Sequence, residues 1–240
     1  MKECTESVFI VMPAYNEEAN IEDVIKSWHA VVQQINASAK LVIFDDGSKD
    51  NTYQTMLNLQ TQYPQLIPIK KTNSGHGPTC LFAYQYAIEQ QADYIFQTDS
   101  DGQTSPDDFW KFYDNRKNYD FVIGYRNNRE DGFFRKITSL VLKLSIFFIY
   151  GIWAKDSNTP FRMLNAKKLA PLLPKIPNNF FLANVLLVIL IIKYKKSLQH
   201  TLLWLPIQFK ERAKGENSIN FLNIFKIGMG SIQSFYRTKI

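Results

Sequence analysis

Short apolar runs alternate with amphipathic helical patterns along the first half of this 240-residue chain. The runs are rich in Val, Ile, Leu, Phe and Tyr and nearly continuous, as strands are when both faces of their sheet are covered. This alternation predicts an α/β fold with a mostly parallel central sheet flanked by helices. The predicted strands are 8–12, 41–45, 67–70, 94–97 and 121–125, and the predicted helices are 17–35, 50–62, 78–91 and 106–117.

The second half contains longer apolar helical patterns and one further strand candidate, 203–209. Two of its segments, 137–153 and 180–192, are apolar enough to raise the question of a membrane span. Lys143 interrupts the first, and the second is shorter than the roughly 20 residues that a spanning helix needs. We therefore predict that both are buried or interfacial helices. The helical patterns of this half lie near 133–150, 166–174, 180–195 and 219–236.

Polar clusters follow four of the predicted strands, at 13–17, 45–48, 73–77 and 99–102. In an open parallel sheet the carboxyl ends of the strands meet at one edge, and ligands bind beyond that edge. The sequence therefore predicts that the four clusters form one binding site.

Asp99 and Asp101 form an Asp-x-Asp motif directly after the predicted strand 94–97. Two neighbouring carboxylates repel each other unless a cation lies between them. Hard oxygen ligands favour Mg²⁺ or Mn²⁺, which bind one or two carboxylates together with substrate phosphates. Gln103 offers a further carbonyl oxygen. The alternative is a solvated turn with an Asp-Gly tip.

The two clusters after the first strands suit a nucleoside. Asp45 and Asp46 can accept hydrogen bonds from a base or from ribose hydroxyls, or they can form a turn and cap the next helix, and one carboxylate can cap while the other binds. Tyr15 can line a base pocket and Glu17 can accept from the nucleoside. Alternatively, Asn16 caps the next helix and the acidic residues after it favour the helix N-terminus.

The segment 75–80 begins like the dinucleotide fingerprint G-x-G-x-x-G, but Cys80 stands at the third glycine and the strand before it is the third. Pro78 as the first helical residue explains the segment without a ligand. NAD is therefore not an expected partner. His76 is expected to be a loop contact near the ligand, since the histidines, His29, His76 and His200, show no metal-binding spacing.

The net charge of +6 is unevenly distributed, because no Asp or Glu occurs between Ser157 and Lys210 while eight Lys or Arg do. Such a region favours an anionic partner, whether a nucleotide, a lipid phosphate, a membrane surface or nucleic acid. Cys4 and Cys80 cannot form a disulfide framework, which favours a reducing compartment. The N-terminus has no long apolar stretch of the signal-peptide kind.

These clusters, in this order, resemble the family 2 glycosyltransferases of GT-A fold, and most closely the dolichol-phosphate and polyprenyl-phosphate sugar transferases. Pro160 departs from the family pattern, which usually has a flexible Gly there, and the stretch 182–185 lacks a Glu that the family often has. The matching segments are PAYNEE at 13–18, DDGSKDNT at 45–52, NSGHGPT at 73–79, DSDGQ at 99–103, GYR at 124–126, DSNTPFR at 156–162 and FKERAKGENS at 209–218.

The resemblance implies a GT-A domain over 1–218, with a nucleotide-binding half 1–125, an acceptor-binding half 126–218 with interfacial helices, and a C-terminal amphipathic helix 219–240. It implies a UDP- or GDP-hexose donor and bound Mg²⁺ or Mn²⁺. The implied donor-binding residues are Pro13, Tyr15, Glu17, Asp45, Asp46, Gly75, Asp99, Ser100, Gln103 and Lys214. The implied metal ligands are Asp99, Asp101 and Gln103, the acceptor-phosphate residues are Arg126 and Arg135, and the catalytic residues are Asp101, Asp156, Arg126 and Arg212.

The expected reaction is inverting transfer of a hexose to a polyprenyl phosphate, by an enzyme at the inner, cytoplasmic face of a membrane and without nucleic acid. A hydroxyl acceptor needs a carboxylate base, whereas a phosphate acceptor is already an anion. Asp156 is the only acid near the second-half motif, so the first alternative is transfer to a sugar hydroxyl with Asp156 as base. The second alternative is a non-catalytic nucleotide-sugar-binding protein.

Overall fold

A seven-stranded sheet forms the centre of the protein in a computed structural model, which describes residues 6–126 and 133–210. The strand order is β3-β2-β1-β4-β6-β5-β7. Only β6 runs antiparallel to its neighbours, so the predicted mostly parallel sheet is confirmed. The strands are β1 Val8–Ala14, β2 Lys40–Asp45, β3 Leu66–Lys70, β4 Tyr94–Gln97, β5 Phe121–Arg126, β6 Arg162–Asn165 and β7 Leu202–Ile207.

Helices cover both faces of this sheet. Their bounds are α1 Ile21–Ile35, α2 Thr52–Gln60, α3 His76–Glu89, α4 Phe109–Asn115, α5 Phe133–Tyr150, α6 Ala166–Leu169 and α7 Ala183–Lys193, with short 3₁₀ turns at Pro106–Asp108 and Leu173–Lys175. The helix predicted over 166–174 is shorter than expected because Pro171 and Pro174 lack the N–H that a continuing helix needs. The predicted helix 219–236 lies outside the described residues.

Strand β6 was not predicted from the sequence. It has only four residues, Arg-Met-Leu-Asn, and none of them is β-branched or aromatic. It nevertheless occupies a central place, because it pairs with β4 on one side and β5 on the other. The antiparallel direction of β6 places its first residue, Arg162, level with Gln97 at the end of β4.

Two apolar cores lie on the two faces of the sheet. One is centred on α3 and α7, and every residue from Ala183 to Ile191 is buried in or beside it. The other packs α1 and α4 on the sheet through aromatic rings, with Phe96 and Phe161 at 4.7 Å between centroids and Trp28 and Phe109 at 6.3 Å. The prediction that 180–192 is a buried or interfacial helix is therefore confirmed as a buried one.

Helix α5 differs from α7 because one of its faces remains exposed. Ile146 is buried, and Leu142, Ile149 and Tyr150 pack against the core. The opposite face is an apolar stripe that consists of Leu140, Val141, Leu144, Phe147 and Phe148. In the part of the chain that the structure describes, no helix combines the length and the hydropathy needed to cross a bilayer.

Candidate active site

The carboxyl ends of β1, β2 and β4 bring the predicted polar clusters to one edge of the sheet. Pairing of β1 with β2 places Ala14 beside Asp45, and the Asp46 amide donates to the Ala14 carbonyl at 2.8 Å. On the other side of β1, the Ser100 hydroxyl donates to the Pro13 carbonyl at 2.8 Å. The clusters therefore lie side by side, as their positions after the strands predict.

Asp46 joins the cluster at 73–77 to this edge. Its Oδ1 lies 2.5 Å from Lys71 Nζ and accepts the Ser74 amide at 2.9 Å, while its Oδ2 accepts the Gly75 amide at 2.8 Å. The Asn73 side chain donates to the Asp46 carbonyl at 2.7 Å. Both carboxylate oxygens thus hold the loop that leads into α3.

These contacts make the stability of the protein sensitive to acid. Burial raises the pKa of Asp46, but hydrogen bonds from Lys71, Ser74 and Thr79 outweigh burial and lower it below its ordinary value. A lowered folded-state pKa adds stability above the unfolded value of about 3.9, and this stability is lost as the pH falls through the folded pKa.

We therefore expect Asp46→Asn to lower the free energy of unfolding at pH 7 by about 1–3 kcal/mol, the usual cost of leaving buried charged hydrogen-bond partners unsatisfied. Urea unfolding at pH 7 and pH 3 measures this, with the exposed Asp114→Asn as control. The difference in the free energy of unfolding between Asp46→Asn and the wild type should be smaller at pH 3 than at pH 7. An equal difference at both pH values would contradict a stabilising role for the ionised Asp46 carboxylate.

Two glycines in the clusters allow close approaches of the backbone. Gly47 has φ 71°, and a Cβ there would lie 2.9 Å from the Asn73 nitrogen. A Cβ on Gly77 would lie 2.1 Å from the Phe181 carbonyl oxygen, so Gly77 lets the start of α3 pack against the segment before α7. This packing gives the segment 75–80 a structural reason for its glycine pattern.

The loops after β1 and β2 are interlocked by backbone-to-side-chain hydrogen bonds. The Asn16 amide donates to Ser48 Oγ at 2.9 Å, and the Lys49 amide donates to Asn16 Oδ1 at 2.8 Å. Asn16 has φ 55°, which Asn tolerates better than most residues. The Glu17 amide donates to Thr52 Oγ1 at 2.8 Å. Asn16 therefore fastens the neighbouring loop, and the cap position of α1 belongs to Asn20 instead.

The side chains predicted to contact a nucleoside lie beside these interlocked loops. Tyr15 is half-buried, whereas Glu17 is buried and accepts from the Asn20 side chain at 2.8 Å. Asp45 is fully buried, and its carboxylate accepts the Ser48 amide at 3.3 Å. The binding roles of these residues stay predictions.

The Asp-x-Asp loop is held by its middle residue and by its own backbone. Ser100 is buried against β1, while Asp99 and Asp101 are half-buried at the edge of the sheet. Asp101 Oδ1 accepts the Gln103 amide at 3.0 Å, and Gly102 has φ 74°. Both carboxylates of the motif are therefore only partly covered by the protein.

His76, at the first position of α3, contacts this loop. Its Nε2 lies 3.1 Å from Asp99 Oδ1, and its Nδ1 lies 3.8 Å from the Cys80 sulfur. The nearby Cys80 and Asp99 raise the pKa of His76 well above its ordinary value. His76 is thus a neighbour of the Asp-x-Asp motif, although it lies in α3 instead of a loop, and its expected contact with the ligand stays a prediction.

Gln103 connects the Asp-x-Asp loop to the segment after β7. The Gln103 side-chain Nε2 donates to the Lys210 backbone carbonyl at 3.0 Å. The Gln103 backbone carbonyl accepts the Lys210 amide at 2.8 Å. The predicted metal ligand thus already has a structural contact through its side-chain nitrogen. Arg212 and Lys214, predicted to meet the diphosphate, lie outside the described residues, but the segment that leads to them begins here.

Arg126 and Asp156 form a close ion pair at the end of β5. Arg126 Nε lies 2.7 Å from Asp156 Oδ2 and Nη2 lies 2.9 Å from Oδ1, so the pair is bidentate. Both side chains are nearly buried, and the guanidinium carbon lies 5.2 Å from the centre of the Phe209 ring. The sequence singled out both residues without predicting that they pair. The side chain of Arg135 lies outside the described residues.

Comparison with known proteins decides the family of the chain. The sequence profile described as "Glycosyl transferase family 2" matches residues 9–181, which include β1 to β6 and the loops of the site. The chain belongs to glycosyl transferase family 2. It is thus a glycosyltransferase, and the family resemblance of its motifs is confirmed.

Two curated relatives of this glycosyltransferase transfer sugars to lipid phosphates, according to their names. The UDP-N-acetylglucosamine–dolichyl-phosphate N-acetylglucosaminyltransferase of Methanococcus voltae is 30% identical over 68% of this chain and 70% of its own length. The undecaprenyl-phosphate 4-deoxy-4-formamido-L-arabinose transferase of Pseudomonas fluorescens (strain SBW25) is 25% identical over 72% of this chain. The match spans 53% of the latter relative's length.

A solved structure supports the fold of the glycosyltransferase. Glucosyl-3-phosphoglycerate synthase from Mycobacterium tuberculosis, solved with Mn²⁺, UDP and phosphoglyceric acid, aligns with a TM-score of 0.68. The alignment covers 98% of this chain and 79% of that one at 15% sequence identity. The predicted GT-A fold is therefore confirmed.

The chemistry of the half-buried Asp99 and Asp101 carboxylates fits a divalent metal. Mg²⁺ and Mn²⁺ take hard oxygen ligands and commonly use one or two protein carboxylates, with phosphate oxygens and water completing the shell. Asp99 and Asp101 are the pair that the sequence predicts for this role. Among residues 6–126 and 140–210, no group of three His, Cys, Asp or Glu is arranged to hold a metal. The donor set therefore suits a metal that arrives with a phosphate-bearing substrate.

Two buried polar residues next to the site received no role from the sequence. Arg162 belongs to the motif 156–162, and Asn184 lies in the stretch 182–185 where the family often has a Glu. Both are buried, with 0% and 2% of their surface exposed. The sequence signal for both was a single polar residue within an apolar segment. Such a residue is expected to be buried and to need hydrogen-bond partners from other elements.

Proposed function

We propose that this glycosyltransferase moves a hexose from a nucleoside-diphosphate hexose, UDP- or GDP-linked, to a polyprenyl phosphate, with inversion at the anomeric carbon. The observation that supports the acceptor is the bidentate pair of Arg126 and Asp156. Asp156, which the sequence offers as a base, has both carboxylate oxygens hydrogen-bonded to the Arg126 guanidinium. The names of the relatives support the same acceptor class.

On the donor side, the loops after β1 and β2 would hold the nucleoside between Tyr15 and Asp45. Asp46 would act indirectly, since its carboxylate fixes the backbone at Ser74 and Gly75. The phosphates would then extend toward the Asp-x-Asp loop, which the Ser100 hydroxyl fastens to β1. In this arrangement Tyr15 and Asp45 would contact the nucleotide sugar directly, whereas Asp46 and Ser100 would support the loops around it.

A Mg²⁺ or Mn²⁺ ion held by Asp99 and Asp101 would offset the negative charge that grows on the departing diphosphate. Gln103 would keep the segment from Lys210 onward beside these carboxylates. The position of Lys210 supports the proposal that Arg212 and Lys214 reach the diphosphate from the same side. Cationic groups placed where charge develops in the transition state favour the reaction.

On the acceptor side, a phosphate oxygen would form the new bond to the anomeric carbon. The bond between that carbon and the β-phosphate oxygen of the donor breaks, and the nucleoside diphosphate leaves with the electron pair. Because the attacking oxygen is already anionic, no proton has to be removed. Arg126 would bind and orient this phosphate, with Arg135 as its predicted partner. A single displacement inverts the anomeric configuration.

Transfer to a sugar hydroxyl with Asp156 as base is the less supported alternative. A general base must accept the proton of the attacking hydroxyl within hydrogen-bond reach. Arg126 occupies both Asp156 oxygens, so the pair would have to open first. Family membership favours either transfer reaction over a non-catalytic nucleotide-sugar-binding role.

The apolar stripe on α5 supports attachment at a membrane surface, on the inner, cytoplasmic face where we propose that the enzyme works. Phe148 is 79% exposed and Trp153 is 62% exposed, and both rings contact Phe147 at under 6 Å between centroids. Exposed aromatic and aliphatic side chains on one helix face are typical of helices that lie in the membrane interface. Trp153 precedes Asp156 by three residues, so this surface adjoins the acceptor side.

We expect the double variant Phe148→Ser, Trp153→Ser to bind phospholipid vesicles about tenfold more weakly or worse, because each ring contributes apolar area to the interface. Vesicle co-sedimentation with phosphatidylcholine and phosphatidylglycerol measures this. Phe82→Ser on α3, which removes a ring that is 40% exposed, is the matched control. Equal binding by the double variant and the wild type would contradict membrane docking through this surface.

A panel of UDP- and GDP-hexoses offered with a polyprenyl phosphate and Mn²⁺ tests the proposed function. One donor should yield a lipid-linked sugar that is labile to mild acid, as glycosyl phosphates are. Chelation should prevent its formation. Hydrolysis of every donor without a lipid product would contradict the proposed acceptor.

A further inference from the structure

Arg162 is a fully buried arginine at the point where β6 begins. Its guanidinium donates to two carbonyls of the preceding loop, at Thr159 (2.8 Å from Nε) and Ser157 (3.2 Å from Nη2). Its Nη1 donates to the backbone carbonyl of Asn184 at 3.0 Å. A guanidinium has five N–H donors in a rigid plane, so it can fix several carbonyls at once.

Asn184 completes this arrangement from the first turn of α7. Its Oδ1 lies 3.3 Å from Arg162 Nη1 and accepts the Tyr84 hydroxyl at 3.3 Å. Its Nδ2 donates to the Cys80 sulfur at 3.7 Å. Asn184 is thus a polar side chain in a buried apolar helix, where a polar group is costly unless it is hydrogen-bonded.

The loop that Arg162 holds is the loop that presents Asp156. Ser157 and Thr159 are buried, and Pro160, with its fixed φ, completes the turn into β6. Asp156 in turn orients Arg126 through two short hydrogen bonds. A chain of contacts therefore runs from Asn184 through Arg162 and the loop 156–160 to the guanidinium at the acceptor side.

We propose that Arg162 and Asn184 are positioning residues that fix the loop 156–160 and thereby aim Arg126 at the acceptor. The identity of the acceptor as a lipid phosphate rests on the proposed function. Neither residue has to touch a substrate for this role. A displacement of about 1 Å at a group that orients a substrate lowers the rate severalfold to a hundredfold.

Asn184→Ala tests this role with less risk to folding than a change at Arg162. We expect it to raise the KM for polyprenyl phosphate about tenfold and to leave the KM for the nucleotide sugar within about twofold of the wild type. Asn184→Asp keeps the Oδ1 acceptor for Arg162 and Tyr84, so it should retain a nearly wild-type acceptor KM.

Val188→Ala, one turn further along α7 and also fully buried, is the matched control for simple loss of packing. It should lower the melting temperature without changing the ratio of the two KM values. If Val188→Ala and Asn184→Ala change the acceptor KM equally, the positioning role is wrong.

Hydrogen exchange of the peptide that covers 154–162 separates this inference from the proposed function. Asn184→Ala should exchange faster there than either the wild type or Val188→Ala. Unchanged exchange in this peptide would overturn the positioning role even if the enzyme is active. If the wild type makes no lipid product, the proposed acceptor is wrong, while faster exchange in Asn184→Ala would still support the control of this loop by Asn184.

Discussion

Replacing Asp99 or Asp101 with Asn should lower kcat/KM for sugar transfer by about a hundredfold or more, because each change removes one of the two carboxylates proposed to hold the metal against the departing diphosphate. The two positions have different contacts. Asp99 meets His76 at 3.1 Å, whereas Asp101 accepts the Gln103 amide. The loop itself should persist in both variants, since Ser100 fastens it to β1.

Electron paramagnetic resonance of Mn²⁺ titrated into the protein with a nucleoside diphosphate measures the same effect without turnover. Each Asn variant should bind Mn²⁺ more weakly than the wild type, and the exposed Asp114→Asn should bind it equally well. Full Mn²⁺ binding by both Asn variants would show that the metal lies elsewhere or is not needed.

The second large effect is expected at the ion pair. Arg126→Ala should lower kcat/KM for polyprenyl phosphate about a hundredfold, in line with the roughly 2–5 kcal/mol lost when one partner of a buried, hydrogen-bonded charge pair is truncated. It removes the cation proposed to bind the acceptor phosphate, and it also takes from the nearly buried Asp156 the guanidinium that balances its charge. Asp156→Asn should lower kcat/KM less, by about tenfold. In that variant Arg126 keeps its charge, and the amide oxygen at position 156 can still accept a hydrogen bond from it.

Arg116→Ala is the control for the loss of an arginine ion pair away from the site. Arg116 pairs with Glu6 at 2.6 Å and stacks on Tyr113, so its removal affects stability without touching the acceptor side. A larger loss of kcat/KM in Asp156→Asn than in Arg126→Ala would favour the alternative reaction, transfer to a sugar hydroxyl. If Asp156→Asn abolishes transfer while Arg126→Ala is mild, Asp156 is a base and the acceptor is a hydroxyl.

The parallel part of the sheet could be predicted because its strands are continuous apolar runs that end in polar clusters. Ser100 against Pro13 and Asp46 against Ala14 follow directly from that topology. The pairing of Arg126 with Asp156 could not be predicted in the same way. It depends on β6 lying beside β5, and the four residues of β6 give almost no strand signal.

Several contacts of individual side chains also lay beyond the sequence. The sequence offered Asp45 and Asp46 as contacts of a nucleoside or as a turn and helix cap, but in the fold the Asp46 carboxylate accepts the amides of Ser74 and Gly75. Asn184 was noticed only for the Glu missing from its stretch, because its partner Arg162 is 22 residues away on another element. Such long-range partners depend on packing, which local patterns do not encode.

The most direct measurement compares a polyprenyl phosphate with the corresponding polyprenol as acceptors, using the active nucleotide sugar, with Mn²⁺ or with a chelator. The account predicts that radiolabelled hexose appears only on the polyprenyl phosphate and only with metal, and that the new linkage has the inverted anomeric configuration. Transfer to the polyprenol hydroxyl, or undiminished transfer in the presence of chelator, would contradict the central claim that a metal-held donor delivers its sugar to an anionic lipid phosphate.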